Sequence, residues 1–351
     1  MPRLSLPASV WPDCDRAMFD NLIREGSLLD GRGALAGHRP ASLRALHYGY
    51  SAWLGWIARE MPEALDEDPI KRATPERIIA WLDSRSELMP ISRFGMACKA
   101  LRLVMAFSPD TDWTLHRRLL NRLNHLAKRQ HSDRKIGRIL HADVIFAAGL
   151  ALMEQSGMGA PPKCITQAHD RRDGALIAFL IVLPLRRRAC VNIEIGRHLL
   201  GDGPWHLTLP GALNKTGTVW SAVVPDLLDP IIEDYLTWVR PFLAARAPYG
   251  TSDSALWLSE TGRRLVVNTL TGRISKATRR QLGVPISPHL FRDAAATTLA
   301  HDSPDAARIT RSLLGHSTFR MAERHYNHAT SLQAGRQYSD LIDGMIERKE
   351  R

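Results

Sequence analysis

The sequence predicts a mainly α-helical protein with a small antiparallel β-sheet, split into an all-helical N-terminal domain and an α+β C-terminal domain. Three observations predict this. A chain of 351 residues exceeds the size at which a single core usually keeps growing, so two domains are expected. Apolar residues recur at helical spacing along much of the chain. One stretch departs from that spacing: Trp205–Pro210 and Val219–Val224 flank a polar turn holding Gly211, Asn214, Lys215 and Gly217, the pattern of a hairpin.

Taken in order, residues 1–40 are rich in Gly and Pro and read as an irregular lead-in with one short helix near Arg16–Arg24. Residues 41–130 form the helical domain. Leu43, Leu46, Tyr50, Trp53, Leu54 and Ile57 share one helical face. Thr74-Pro75-Glu76 starts another helix, with Thr74 as cap and Pro75 in the first turn, where its missing N–H has no partner to lose. Between Ser92 and Phe107, Phe94, Ala97, Cys98, Leu101, Val104 and Met105 make an apolar stripe, with Lys99 opposite and Arg93 and Arg102 flanking. Residues 131–140 belong to a basic linker stretch. Residues 141–330 form the second domain, with helices expected at Ala142–Ser156 and Asp170–Val182, the hairpin, and a short strand at Ala255–Ser259. In residues 331–351, Ala334, Tyr338, Leu341, Ile342 and Met345 fall at helical spacing, as on a helix that packs on its own domain or docks on a neighbouring protomer.

Composition narrows the function classes. No apolar run reaches the roughly 18 residues a membrane helix needs, and the N-terminus has no signal-peptide apolar region, so a cytoplasmic, nucleoid-associated protein is expected. Cys14, Cys98, Cys164 and Cys190 are scattered, which argues against a zinc site or a disulfide framework. The net charge is +11, and it is concentrated: residues 1–87 hold 11 Lys and Arg against 13 acids, residues 88–132 hold 8 against 2. A concentrated basic surface suits a polyanion, nucleic acid first. Arg93, Lys99, Arg102, Lys128 and Arg129 are the candidate DNA-binding residues. The bland alternative is a solvated charged face.

The chemistry concentrates further on. Ser287-Pro288 starts a helix whose first turn carries His289 and, three residues later on the same face, Arg292. Helix N-terminal amides add to that cationic pair, and arginine suits bidentate phosphate contact. Ser303-Pro304 starts a further helix that ends at Leu313-Leu314-Gly315, His316 follows at once, and Tyr326 lies ten residues beyond. Upstream, the apolar helix ends in Leu185-Arg186-Arg187-Arg188, and Lys215 sits at the hairpin tip.

The order Arg, Lys, HxxR, LGH, Tyr, carried by LPLRRRAC, NKTG, SPHLFRDAAATTLA, LLGHSTF and ERHY, resembles the tyrosine recombinase (phage integrase) family. The resemblance covers residues 136–330, and more loosely 41–130, which is similar to the family's core-binding domain. It implies that Arg186 is the first catalytic arginine, with Arg187 as the alternative register. It implies likewise that Lys215 is the hairpin lysine, His289 and Arg292 the HxxR pair, His316 the histidine after LG and Tyr326 the nucleophile. Two departures stand out. Ala189 occupies a position, three after the first arginine, where many relatives place an acid; and the step from His316 to Tyr326 is one residue longer than in some members.

The implied reaction cuts and rejoins double-stranded DNA through a 3′-phosphotyrosine, with no cofactor, metal or ATP. Arg186, Arg292, His289 and His316 would stabilise charge on the phosphate, Lys215 would protonate the departing 5′-oxygen, and His289 could help take the tyrosine proton. The implied partners are DNA, further copies of the chain (a dimer on one site, a tetramer at synapsis) and a possible partner recombinase. The alternatives are a DNA-relaxing type IB topoisomerase-like enzyme and a non-catalytic DNA-binding accessory protein; a basic RNA- or membrane-binding protein would explain the charge but not the motif order.

Overall fold

Each of the two compact units of the computed structural model, Met1–Ser132 and Asp133–Arg351, is built around one helix. The model describes residues 5–27, 29–129, 137–201, 204–214, 217–248 and 254–302. The described residues are mainly helical with one small antiparallel sheet, as the sequence predicts. No helix among them is long and apolar enough to cross a membrane.

In the first unit the central helix is α5 (Pro90–Phe107), packed by α1 (Asp13–Ile23), α2 (Pro40–Glu60), α3 (Pro69–Arg72), α4 (Pro75–Asp83) and α6 (Thr114–Arg129). Being enclosed on several sides, α5 buries Ala100 and Leu103 besides the expected stripe residues Ala97, Leu101 and Val104. Thr74 caps α4 as read, its side chain accepting from the Arg77 N–H at 3.3 Å. Tryptophans fill much of this core: Trp53, Trp81 and Trp113 are almost wholly buried, and Trp53 stacks on Trp56 with centroids 5.5 Å apart.

Residues 5–27 and 29–40 are less irregular than their composition suggests. Their helix is α1, starting at Asp13, and Trp11, Met18, Leu22 and Leu35 belong to the same core as Trp53. The cause is a buried polar knot. Arg72 donates to both Asp15 oxygens at 2.8 and 2.9 Å, to the Ala64 carbonyl at 2.7 Å and to the Leu65 carbonyl at 2.6 Å, and also to the Glu67 carbonyl. Tyr50 donates to Asp15 as well. Local Gly and Pro content cannot reveal a tie spanning 57 residues.

In the second unit the central helix is α8 (Ile165–Val182), buried from Arg171 through Ile181 and starting five residues before the expected Asp170. Against it lies α7 (Ala142–Gln155), and glycine sets their spacing. A Cβ on Gly149 would meet the Gly174 carbonyl oxygen at 2.8 Å, and one on Gly174 would meet that of Gly149 at 2.5 Å, so a side chain at either would force the helices apart. Around α8 also pack α10 (Asp229–Asp234), a π-helical turn (Tyr235–Val239), α11 (Arg240–Ala244), α12 (Val267–Leu282) and α13 (Pro288–Asp302). The hairpin is present as β2 (His206–Leu209) and β3 (Trp220–Val223), paired Leu207 to Ala222 and Leu209 to Trp220. A strand the sequence did not announce, β1 (Leu199–Leu200), adds to β2. Leu207 and Leu209 face the core while His206 and Thr208 face out. The expected strand at Ala255–Ser259 is reduced to single bridges, Glu194 with Ala255 and Leu258 with Arg264.

Candidate active site

The helix α8 stops at Val182 because Pro184 follows: proline has no N–H for the next turn and disfavours helical geometry in the residue before it. Leu183, Pro184 and Leu185 are buried in irregular backbone, and a new helix, α9 (Arg187–Val191), begins at once. Arg186 therefore does not end the apolar helix, as its position suggested, but occupies the extended residue just before α9. Burial lowers its pKa, and it is only half-buried, whereas Arg187 and Arg188 are exposed. Arg187 reaches Thr271 Oγ1 on α12 at 3.4 Å.

The helix α13 starts at Pro288, as expected, and the Ser287 carbonyl accepts from the Leu290 N–H at 2.8 Å. His289 stands exposed on the first turn. One turn on, Arg292 is 7% exposed and donates to the Pro184 carbonyl, two residues before Arg186. Burial, then the charge of Arg186, bring the Arg292 pKa down to about 10, with Asp293 acting in the opposite direction. Arg292 is still a cation at neutral pH. The charge of Arg186 acts against that of the buried Arg292, and such a neighbourhood favours an anion.

The structure thus brings Arg186 and Arg292 together and sets His289 on the same helix end. Lys215, His316 and Tyr326, the LLG segment and the helical pattern of residues 331–351 lie outside the described residues. The Pro184 carbonyl and Asp293, both in contact with the charge balance of Arg292, were missed by motif reading. Asp293 was visible as an acid directly after the HxxR arginine; the carbonyl left no signal. Among the described residues no cluster of histidine, cysteine or acid could hold a metal ion.

The candidate DNA-binding residues all lie in the first unit. Arg93 pairs with Asp83 at 2.6 Å. Lys99 is half-buried rather than opposite the core, because its stem covers the bare backbone of Gly49 on α2, where a Cβ would lie 2.4 Å from Lys99 Cβ. Arg102 is exposed and meets His38 Nε2 at 2.8 Å. Lys128 and Arg129 are exposed on the last turn of α6, where cations also oppose the negative helix end.

Comparison with known proteins bears on the family: the phage integrase family model matches a stretch that spans α8, α9, the sheet and α13. Residues 161–332 carry a phage integrase family domain. Relatives named tyrosine recombinase XerC agree: that of Azotobacter vinelandii is 30% identical over 147 residues, 42% of this chain and 45% of the relative. That of Pseudomonas savastanoi pv. phaseolicola is 33% identical over 152 residues, 43% of this chain and 46% of the relative. The chain therefore spans less than half the length of these curated integrase-family relatives. The fold agrees with the crystal structure of XerH site-specific recombinase bound to difH substrate, at TM-score 0.56 and 13% identity over 84% of this chain and 79% of that one.

Proposed function

We propose that this chain is a site-specific tyrosine recombinase, which cuts and rejoins double-stranded DNA through a covalent bond between Tyr326 and a 3′-phosphate. The observation that carries the reading is the pairing of Arg186 with buried Arg292. Folding two cations together at a cost is sensible when an anion later occupies the place between them. In this reading Arg186 is the first catalytic arginine; its half-buried position beside Arg292, against the exposed Arg187, supports that register. Both guanidinium groups stabilise charge on the non-bridging oxygens as the phosphodiester is attacked. His289 and His316 add to that stabilisation, and His289 can accept the tyrosine proton. Lys215 supplies the proton that the departing 5′-oxygen needs.

The exposed Arg102, Lys128 and Arg129 of the first unit are assigned to DNA phosphates, and Arg93 and Lys99 to its margin. The partners in this reading are duplex DNA and further copies of the chain, a dimer on a site and a tetramer at synapsis, acting in the cytoplasm; residues 331–351 would dock on a neighbouring copy. Domain limits follow as 41–130 for the core-binding domain and 141–330 for the catalytic domain, with residues 1–40 folded into the former.

The test is direct. The wild-type protein, incubated with nicked duplexes drawn from the DNA flanking its gene, is expected to form an SDS-resistant protein–DNA adduct, and Tyr326→Phe to bind the same DNA without forming one. An adduct formed by the Phe variant would remove Tyr326 from its role, and the absence of any adduct with the wild type on every flanking duplex would remove the reading itself.

A further inference from the structure

The five-residue α9 is too short to hold its own orientation, because most helices depend on tertiary contacts and a single turn does so entirely. No side-chain cap bond fixes its start. The residue three beyond Arg186, Ala189, is buried and apolar and offers no polar tie. Burial of Ala189, Cys190 and Val191 presses α9 onto the core, yet apolar contact is non-directional and leaves the rotation of one helical turn poorly set.

Directional contacts come from its far end. Asn192 Nδ2 donates to the Arg188 carbonyl at 2.7 Å, gripping α9 from the residue that follows it. Asn192 is itself held: Arg264 Nη1 donates to its Oδ1 at 3.1 Å, while Nη2 of the same guanidinium donates to Glu194 Oε1 at 2.7 Å. The Arg264 contact is the first cause of the lowered Glu194 pKa, so this carboxylate stays ionised and keeps its hold. Arg264 is carried by backbone that is anchored in turn. It bridges Leu258, and the same segment fastens to the chain beyond α9 through the Leu256 N–H to the Ile193 carbonyl at 2.8 Å. A planar, forked donor on anchored backbone thus joins Asn192 and Glu194 and sets the angle between them, which a point charge cannot do.

We propose that Arg264 and Asn192 are positioning residues that orient α9 and so aim Arg186 at the reacting phosphate. The proposal rests on the recombinase reading for its consequence but not for its geometry. Neither residue reaches the phosphate; both act through the backbone of α9.

Two measurements test it. Hydrogen exchange needs no substrate: Arg264→Ala is expected to speed exchange of the amides of residues 188–192 while leaving those of α13 and of the first unit unchanged. Unaltered exchange in 188–192, or a rise spread over the whole second unit, would overturn the proposal. The cleavage assay reads the consequence. Misaiming a group by about 1 Å can cost on the order of 10²-fold, so Arg264→Ala is expected to lower single-turnover adduct formation roughly 10- to 100-fold at unchanged DNA affinity. Adding Arg264→Ala to Arg186→Ala should cost nothing more, since there is no Arg186 left to aim. Arg264→Lys, which can still pair with Glu194 but cannot fork to Asn192, should keep thermal stability and fail to restore cleavage. Multiplying penalties in the double variant, or full rescue by lysine, would reduce Arg264 to a stabilising ion pair. An inactive wild type would sink the recombinase reading alone, because the exchange result stands without it.

Discussion

Arg72 in the first unit and Arg292 in the second are both buried arginines, yet their surroundings push them in opposite directions. For Arg72, burial opposes the charge most strongly, but the attraction and hydrogen bonds of Asp15, helped by Tyr50 and Cys14, outweigh it and its pKa is raised. For Arg292, burial acts first and Arg186 adds to it, so its pKa falls to about 10. The first environment is complete without any ligand, and its arginine holds the fold together. In the second, burial and Arg186 outweigh the opposing pull of Asp293, which under the recombinase proposal suits a place that a phosphate would take. The difference teaches that a buried cation says little by itself; the sign of its neighbours tells which purpose it serves.

The sharpest way to break this contrast is to remove each cation in turn. Arg72→Met leaves Asp15 buried without its counter-charge, and breaking a buried pair from one side costs about 3–5 kcal/mol. Hydrogen exchange should show the first unit destabilised by that amount and the second unit unaffected; a loss below about 1 kcal/mol would mean that Tyr50 alone can satisfy Asp15.

Arg292→Met should do the reverse. An arginine whose folded-state pKa is depressed works against folding at every pH below about 10, and the penalty fades only as pH climbs from there towards its ordinary value of 12.5. At pH 7 the variant's second unit should therefore be as stable as the wild type or more so. Adduct formation should meanwhile fall by about 10²–10³-fold, the usual loss when one transition-state donor is removed. A strongly destabilised variant would make Arg292 a structural residue like Arg72.

The surface charges of the first unit sharpen the comparison from outside. If Arg102, Lys128 and Arg129 each neutralise one phosphate, replacing all three by alanine lowers the log–log salt slope of DNA binding by ~3. Lys99→Ala should instead lower stability more than the slope, since its stem covers Gly49. An unchanged slope in the triple variant would assign these cations to a solvated face.

The smallest expected effect is that of His47, which stacks on Trp11 with centroids 4.6 Å apart. Burial lowers its pKa from 6.5, so the neutral ring is favoured in the folded state and the first unit loses stability as pH falls below 6.5. His47→Gln should flatten that slope in the first unit only. The second unit keeps its own dependence through His169, whose pKa is lowered by burial and then by Arg172 and Arg273. An unchanged slope in the first unit would place the titrating group elsewhere.

Much of this was legible in one dimension because the signals are local. The start of α4 at Thr74-Pro75, the start of α13 at Pro288 and the alternation of β2 and β3 each depend on residues a few positions apart, and each is observed. So was the family, because motif order survives whatever the packing does. What depended on distant residues was hidden. Residues 1–40 looked irregular by composition, and only the reach of Arg72 to Asp15 makes them part of a core. Lys99 looked like a free surface cation on a helical wheel, but the wheel cannot know that a glycine of another helix lies beneath it. The end of α8 at Val182 was read as it stands, but its start was read five residues late, at Asp170 instead of Ile165.

By itself the sequence determined the fold class, the hairpin, the starts of α4 and α13, the family resemblance and the identity of Arg186, Arg292 and His289 as candidates, since all of these are written in periodicity, caps and motif order. Only the tertiary structure decided which of the three consecutive arginines stands beside Arg292, and whether a buried arginine is matched by an acid or opposed by a cation. The physical reason is that charge interacts through space: Arg186 and Arg292 are more than a hundred residues apart in the chain, and their mutual effect exists only once Pro184 has turned the backbone and α13 has packed against α8.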